Sequence, residues 1–168
     1  MLKKLVGLSV GEILLVAVAG FLAVLFLPRA ATAKDLDKDQ AIALYMIAIS
    51  EMGVGIPDVR PIIHTGASLQ MLRDMVCPQA SCSPNAVYSA GRIFLLDGMD
   101  FSNPYDSAVL VHELVHHIQA WKAGGPASDC EEYRVREAQA HEIEEKVLSR
   151  LGADARVARS RMANIYCR

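Results

Sequence analysis

Residues 103–125, NPYDSAVLVHELVHHIQAWKAGG, decide the fold. Asn103 is a good N-cap, Pro104 suits the first helical position, and Asp106 can reach back to the cap. The Gly-Gly pair is a strong helix stop. The stretch therefore predicts a well-bounded, largely apolar helix over residues 104–123.

Inside this helix lies the pattern HELVH, from His112 to His116. A spacing of four residues is just over one helical turn, so both imidazoles project from the same face and can share one metal ion. Glu113 lies about 100° away, beside the metal, where it can take a proton from a metal-bound water. The alternative is that both histidines are metal-free helix residues. It is disfavoured because burying them without partners is costly. His117 points elsewhere and is interpreted as a surface or supporting residue.

A second helix should follow the Gly-Gly-Pro turn, capped by Ser128 and Asp129 and continuing to about Leu151. Such a helix packs back antiparallel on the first. The distance from His116 to the first helix end is about 10 Å at 1.5 Å per residue, and the same distance along the second helix leads to Glu137.

Glu137 is therefore predicted as the third metal ligand. Glu131 and Glu132 stop short of the histidines and suit capping, and Glu144 overshoots His112 by more than a turn. In the alternative interpretation, Glu137 is a solvent-facing partner of nearby arginines.

HELVHH followed by REAQAHE resembles the gluzincin branch of the zincin metallopeptidases, over roughly Val87 to Leu151. The resemblance implies an α+β zincin-like domain, a small sheet with an active-site helix and an antiparallel glutamate helix. It also implies Zn²⁺, hydrolysis of peptide bonds with Glu113 as general base, and an upstream edge strand that pairs with extended substrate. Arg92 to Leu96 is the candidate for that strand, and a plain core strand is the alternative.

The chain departs from this group where His141 stands, because many members have an orienting aspartate there. His141 is interpreted as a supporting or substrate-binding residue. Candidates for stabilising the oxyanion are His141, Tyr133, Tyr88 and His64. A rival hypothesis is a non-catalytic zinc-containing envelope binding or adaptor module. It would be favoured if His141 closed the fourth coordination position. A third is hydrolysis of another bond, such as a cell-wall peptide crosslink.

Residues 1–33 have the parts of a signal peptide or N-terminal membrane anchor. Two lysines precede an apolar run over residues 5–27, and Ala31-Thr32-Ala33 follows it. Either interpretation places the body, residues 34–168, outside the cytoplasm, periplasmic or secreted or anchored in the inner membrane. Of the chain's 17 basic and 19 acidic residues, three and one precede Lys34, which leaves 14 and 18 in the body. This balance argues against nucleic acid as a partner and leaves a peptide or protein substrate.

All four cysteines lie in the body: Cys77, Cys82, Cys130 and Cys167. An even count in an exported domain favours disulfides, and three pairings are possible. Cys77 with Cys82 and Cys130 with Cys167 is preferred, because the first two are close in sequence. Reduced cysteines are the alternative.

The remaining elements follow from periodicity and turn residues. A buried helix should end near Gly53, a short strand should cover residues 59–64, and Ser68 should cap a helix to about Val76. A strand pair or one bent strand should cover residues 86–97, and a last helix should lie within residues 153–165.

Overall fold

The computed structural model describes residues 36–77 and 82–162. Their elements, in chain order, are α1 (Lys38–Met52), β1 (Ile62–Ala67), α2 (Leu69–Val76), β2 (Ala86–Ser89), β3 (Arg92–Leu96), α3 (Pro104–Ala123), α4 (Cys130–Arg150) and α5 (Arg156–Met162). The expected α+β class is confirmed. The predicted signal or anchor, residues 1–33, lies outside these ranges. None of the helices in them has the length and apolar character needed to cross a bilayer.

The sheet has the order β1-β3-β2, with β1 parallel and β2 antiparallel to β3. The predicted strand pair is therefore confirmed, but the expectation that Arg92–Leu96 forms an edge strand is wrong. The short hairpin places β2 on one side of β3, and β1 covers the other side. β1 begins at Ile62, later than predicted, directly after Pro61, which lacks the N–H that a ladder requires.

The turn between β2 and β3 stores local strain. Ala90 has φ +46° and Gly91 has φ +80°, the left-handed pair typical of type I′ hairpins. The Gly91 N–H donates to the Tyr88 hydroxyl at 3.1 Å, which ties the turn to its strand. A left-handed conformation suits Gly and Asn but not Ala.

Changing Ala90 to Asn should therefore stabilise the protein. We expect a gain of about 1 kcal/mol, since this is the order of the left-handed penalty for an ordinary L-residue. Ala90→Val should do the opposite, because β-branched residues tolerate positive φ least. Urea denaturation of the three proteins measures both effects. An Ala90→Asn protein less stable than the parent would contradict the assignment of strain to this turn.

Helix α3 is the centre of the core. It contacts α1, α4, β2 and β3 and is buried on most sides, which accounts for its apolar composition. The Asn103 side chain accepts the Tyr105 N–H at 3.0 Å, as expected of an N-cap. Asp106 does not reach back to the cap: its carboxylate accepts the Asp100 N–H at 2.7 Å and so bends the preceding loop. Gly124, at φ +76°, ends the helix.

Two bonds hold the start of α4. The Asp129 carboxylate accepts the Glu132 N–H at 2.8 Å, and the Glu132 carboxylate accepts the Ser128 N–H at 2.8 Å. These contacts give Glu132 the capping role that its position suggested.

The cysteines of the described residues are oxidised. Cys77 and Cys82 are joined by a disulfide, in the preferred pairing. Cys130 is also disulfide-bonded, and Cys167, the other cysteine of the second preferred pair, lies outside the described residues.

Candidate metal centre

The site lies where α3 and α4 cross, with the two helices antiparallel. His116 Nε2 is 3.2 Å from Glu137 Oε1, while His112, one turn earlier on α3, faces Glu144, further along α4. His112 Nε2 is 3.5 Å from Glu137 Oε2 and 3.0 Å from His116 Nε2. The structure therefore brings the three predicted ligands together, and Glu137 pairs with no arginine among the described residues.

The outward nitrogens of the histidines face acceptors. His116 Nδ1 lies 2.9 Å from Gln119 Oε1, and His141 Nδ1 lies 2.9 Å from Glu144 Oε2. An acceptor at Nδ1 places the proton there and leaves a lone pair on Nε2. His112 Nδ1 is 3.4 Å from the same Glu144 oxygen, and it has no closer hydrogen-bond partner among the described residues.

This arrangement fits a metal ion. Two imidazole nitrogens 3.0 Å apart beside a carboxylate repel one another unless a proton or a metal ion lies between them. In a tetrahedral zinc site with bonds of 2.0–2.1 Å, neighbouring ligand atoms are about 3.3 Å apart. The three spacings in the cluster, 3.0, 3.2 and 3.5 Å, bracket that value. His112, His116 and Glu137 therefore have the donor types and spacing that Zn²⁺ takes.

The electrostatics of the cluster also favour a cation. Burial lowers the pKa of His112, but the carboxylates of Glu137 and Glu144 outweigh that effect and raise it to about 10. Burial raises the pKa of Glu137, and hydrogen bonds from the two histidines more than reverse this, so the pKa is lowered well below its usual range. A positive charge at this point, from protons or a metal, is strongly stabilised.

Glu144 lies within the cluster, contrary to the prediction that it overshoots His112. It is 1% exposed, and one of its oxygens faces both His112 and His141. The prediction failed because it compared heights along the helix axes, whereas helical side chains lean towards the N-terminus and a Glu side chain is long. The signal in the sequence was the i, i+3 spacing from His141, which places both on one face. Glu144 thus places a carboxylate 2.9 Å from His141 Nδ1 and 3.4 Å from His112 Nδ1.

Gln119 was not identified from the sequence. It is 6% exposed, and besides facing His116 it donates from Nε2 to the Arg136 carbonyl at 2.9 Å and to Gln139 Oε1 at 3.0 Å. Gln119 thus orients His116 and also holds α4, the helix that carries Glu137, in position against α3. Its i+3 spacing from His116 was the available signal.

Glu113 borders the cluster without joining it. It is 8% exposed and lines an open cavity of about 1220 Å³. Within residues 36–77 and 82–162 it makes no hydrogen bond or ion pair, so its carboxylate is available to an incoming molecule. The same cavity is lined by β2, the β2–β3 turn, Tyr88, Tyr133 and His141. His64 is not among the lining residues and stacks on Phe94, with ring centroids 4.9 Å apart.

His117 is not on the surface. It is 4% exposed and donates from Nε2 to the Val59 carbonyl at 2.8 Å. Trp121, one turn later, donates to Asp58 at 2.8 Å. These two bonds hold residues 58–59 against α3 as one wall of the cavity, which also explains why the predicted strand does not begin there.

Comparison with known proteins adds a family but no activity. Residues 57–163, which are 107 of the 168 residues, match the family model described as a domain of unknown function, DUF6647. No curated protein and no solved structure matches the chain. The matched range contains every residue of the cluster described above. The chain therefore belongs to the DUF6647 family.

Proposed function

We propose that this protein is a zinc-dependent metallopeptidase acting outside the cytoplasm. The observation that carries the proposal is the convergence of His112, His116 and Glu137 beside an unpaired Glu113 at an open cavity. An isolated HExxH pattern can occur by chance. Oriented imidazoles, a carboxylate from a second helix and a free acid within one cavity are a more specific combination.

The metal ligands, Glu113 and Tyr133 have separate roles in the proposed reaction. A zinc ion held by the three ligands would polarise a carbonyl and make a water more acidic. Glu113 accepts the proton of the attacking water and passes it to the leaving amine. Tyr133 lies on the cavity side of α4 and is the candidate donor to the developing oxyanion.

The edge strand β2 supports a peptide as the substrate. Residues 86–89 pair with β3 on one side and line the cavity that contains Glu113. The unpaired side of an edge strand can hydrogen-bond to an extended peptide. β2 therefore takes the role that the sequence had suggested for β3. Cys82, at the cavity wall, is held by a disulfide, which agrees with an oxidising compartment.

A second candidate function is a non-catalytic zinc-containing binding module of the envelope. His141 favours it, because its imidazole lies within the cluster and can occupy the position that a catalytic site leaves open.

Metal analysis together with cleavage of a broad peptide library tests the proposal. We expect about one zinc per chain and cleavage that a chelator abolishes and added zinc restores. Zinc without cleavage would favour the binding module, and a protein that takes up no zinc would refute both candidates.

A further inference from the structure

We propose that His141 is a fourth ligand of the same metal ion in the resting protein, and that Glu144 is the positioning residue that makes it one. This inference rests on the proposed zinc site. It goes beyond that site by stating what occupies the fourth coordination position before substrate arrives.

The two facing helices place four candidate ligand side chains around one point. His112 and His116 are four residues apart on α3, and Glu137 and His141 are four residues apart on α4. Each helix thus presents one pair from a single face. The His112 and His141 rings have centroids 4.4 Å apart, and the ligand atoms of His112, Glu137 and His141 all lie within 4.8 Å of one another.

The hydrogen bond to Glu144 determines which ring nitrogen of His141 carries the proton. His141 Nδ1 is 2.9 Å from the Glu144 carboxylate, which is an acceptor, so the imidazole carries its proton on Nδ1. Nε2, which is 4.0 Å from Glu137 Oε2, is then the nitrogen that can bind a metal. In this tautomer His141 cannot donate to an oxyanion, the role that the sequence suggested.

The distances between the candidate ligand atoms indicate which side chain a substrate would replace. His141 Nε2 is 4.0 Å from Glu137 Oε2, whereas the other ligand atoms are separated by 3.0–3.5 Å. His141 is therefore the least closely grouped of the four candidate ligands, and it would be the one that a substrate carbonyl displaces. With all four groups bound, the resting site would be closed, and release of His141 would free the position that a catalytic zinc needs for water or substrate.

X-ray absorption spectroscopy of the zinc-loaded full chain tests this, because it counts the imidazoles bound to zinc. We expect three in the parent protein and two in His141→Ala. His141→Gln should also show two while keeping an N–H donor for Glu144, which guards against loss of folding. His64→Ala removes an exposed histidine outside the cavity and should retain three. Zinc affinity should fall at least about tenfold in the two His141 variants, the lower range for losing a group that supports a site.

The outcomes separate this inference from the proposed function. Two imidazoles in the parent and unchanged in both His141 variants would overturn the four-ligand resting site, while the zinc site and the peptidase would stand. A parent protein that binds no zinc would instead remove the proposed function on which the inference rests.

Discussion

Replacing Glu113 with Gln should lower peptide-bond turnover by about 10²–10⁴-fold, the usual share of general acid–base catalysis. Gln keeps the size of the side chain but cannot accept the proton of the attacking water. Zinc affinity should not change, because the Glu113 carboxylate makes no contact with the ligand atoms of the cluster among the described ion pairs and hydrogen bonds. Steady-state kinetics and zinc titration of the same preparation measure both quantities.

Glu142→Gln is the matched control for that substitution. It makes the same Glu-to-Gln change on the outer face of α4. The Glu142 side chain is 61% exposed there and pairs with Lys146. Its loss should leave turnover and zinc binding intact, since exposed ion pairs of this kind contribute little. Full activity in Glu113→Gln would show that the mechanism is wrong even if the metal site is right.

Removing a direct ligand should have the largest effect on the metal. We expect His112→Ala, His116→Ala and Glu137→Ala each to weaken zinc binding by more than about 100-fold, beyond the 10–100-fold typical of losing an outer partner. Activity should fall with the metal. Competition with a chelator of known affinity measures the change.

Two neighbouring residues provide controls for the ligand variants. Glu132→Ala removes an acidic side chain on α4 that caps the helix at Ser128, and should leave zinc in place. His117→Ala removes the histidine next to His116 and should also keep zinc. It should cost about 1–3 kcal/mol of stability, because the bond from the buried His117 imidazole to the Val59 carbonyl is lost. Zinc loss in Glu132→Ala but not in Glu137→Ala would contradict the assignment of the third ligand.

Local patterns in the sequence were sufficient for the helices and their ends. The Asn103 cap, the Gly124 stop and the Ser68 cap all act within a few residues of their partners, so periodicity and capping chemistry predicted them. The one cap interaction that failed was Asp106. Its carboxylate accepts the Asp100 N–H of the preceding loop instead of the N–H of the cap residue.

The sequence predicted those site residues whose positions follow from a single helix or from two consecutive antiparallel helices. The spacing of His112 and His116 is a property of a single helix, and Glu137 followed from matching distances along two antiparallel helices. Gln119 and Glu144 could not be found in this way. Their roles depend on side-chain direction and on atoms of the facing helix, which a residue count does not contain.

The sequence by itself determined the α+β composition, the helix boundaries, the HExxH face and the close disulfide pair, because each is governed by interactions between residues near in the chain. The tertiary structure alone decided that β2 rather than β3 is an edge at the cavity, that His117 is buried, and that one Glu144 oxygen serves two histidines. These features arise from contacts between elements distant in sequence. Their geometry is set by how the helices and the sheet pack together.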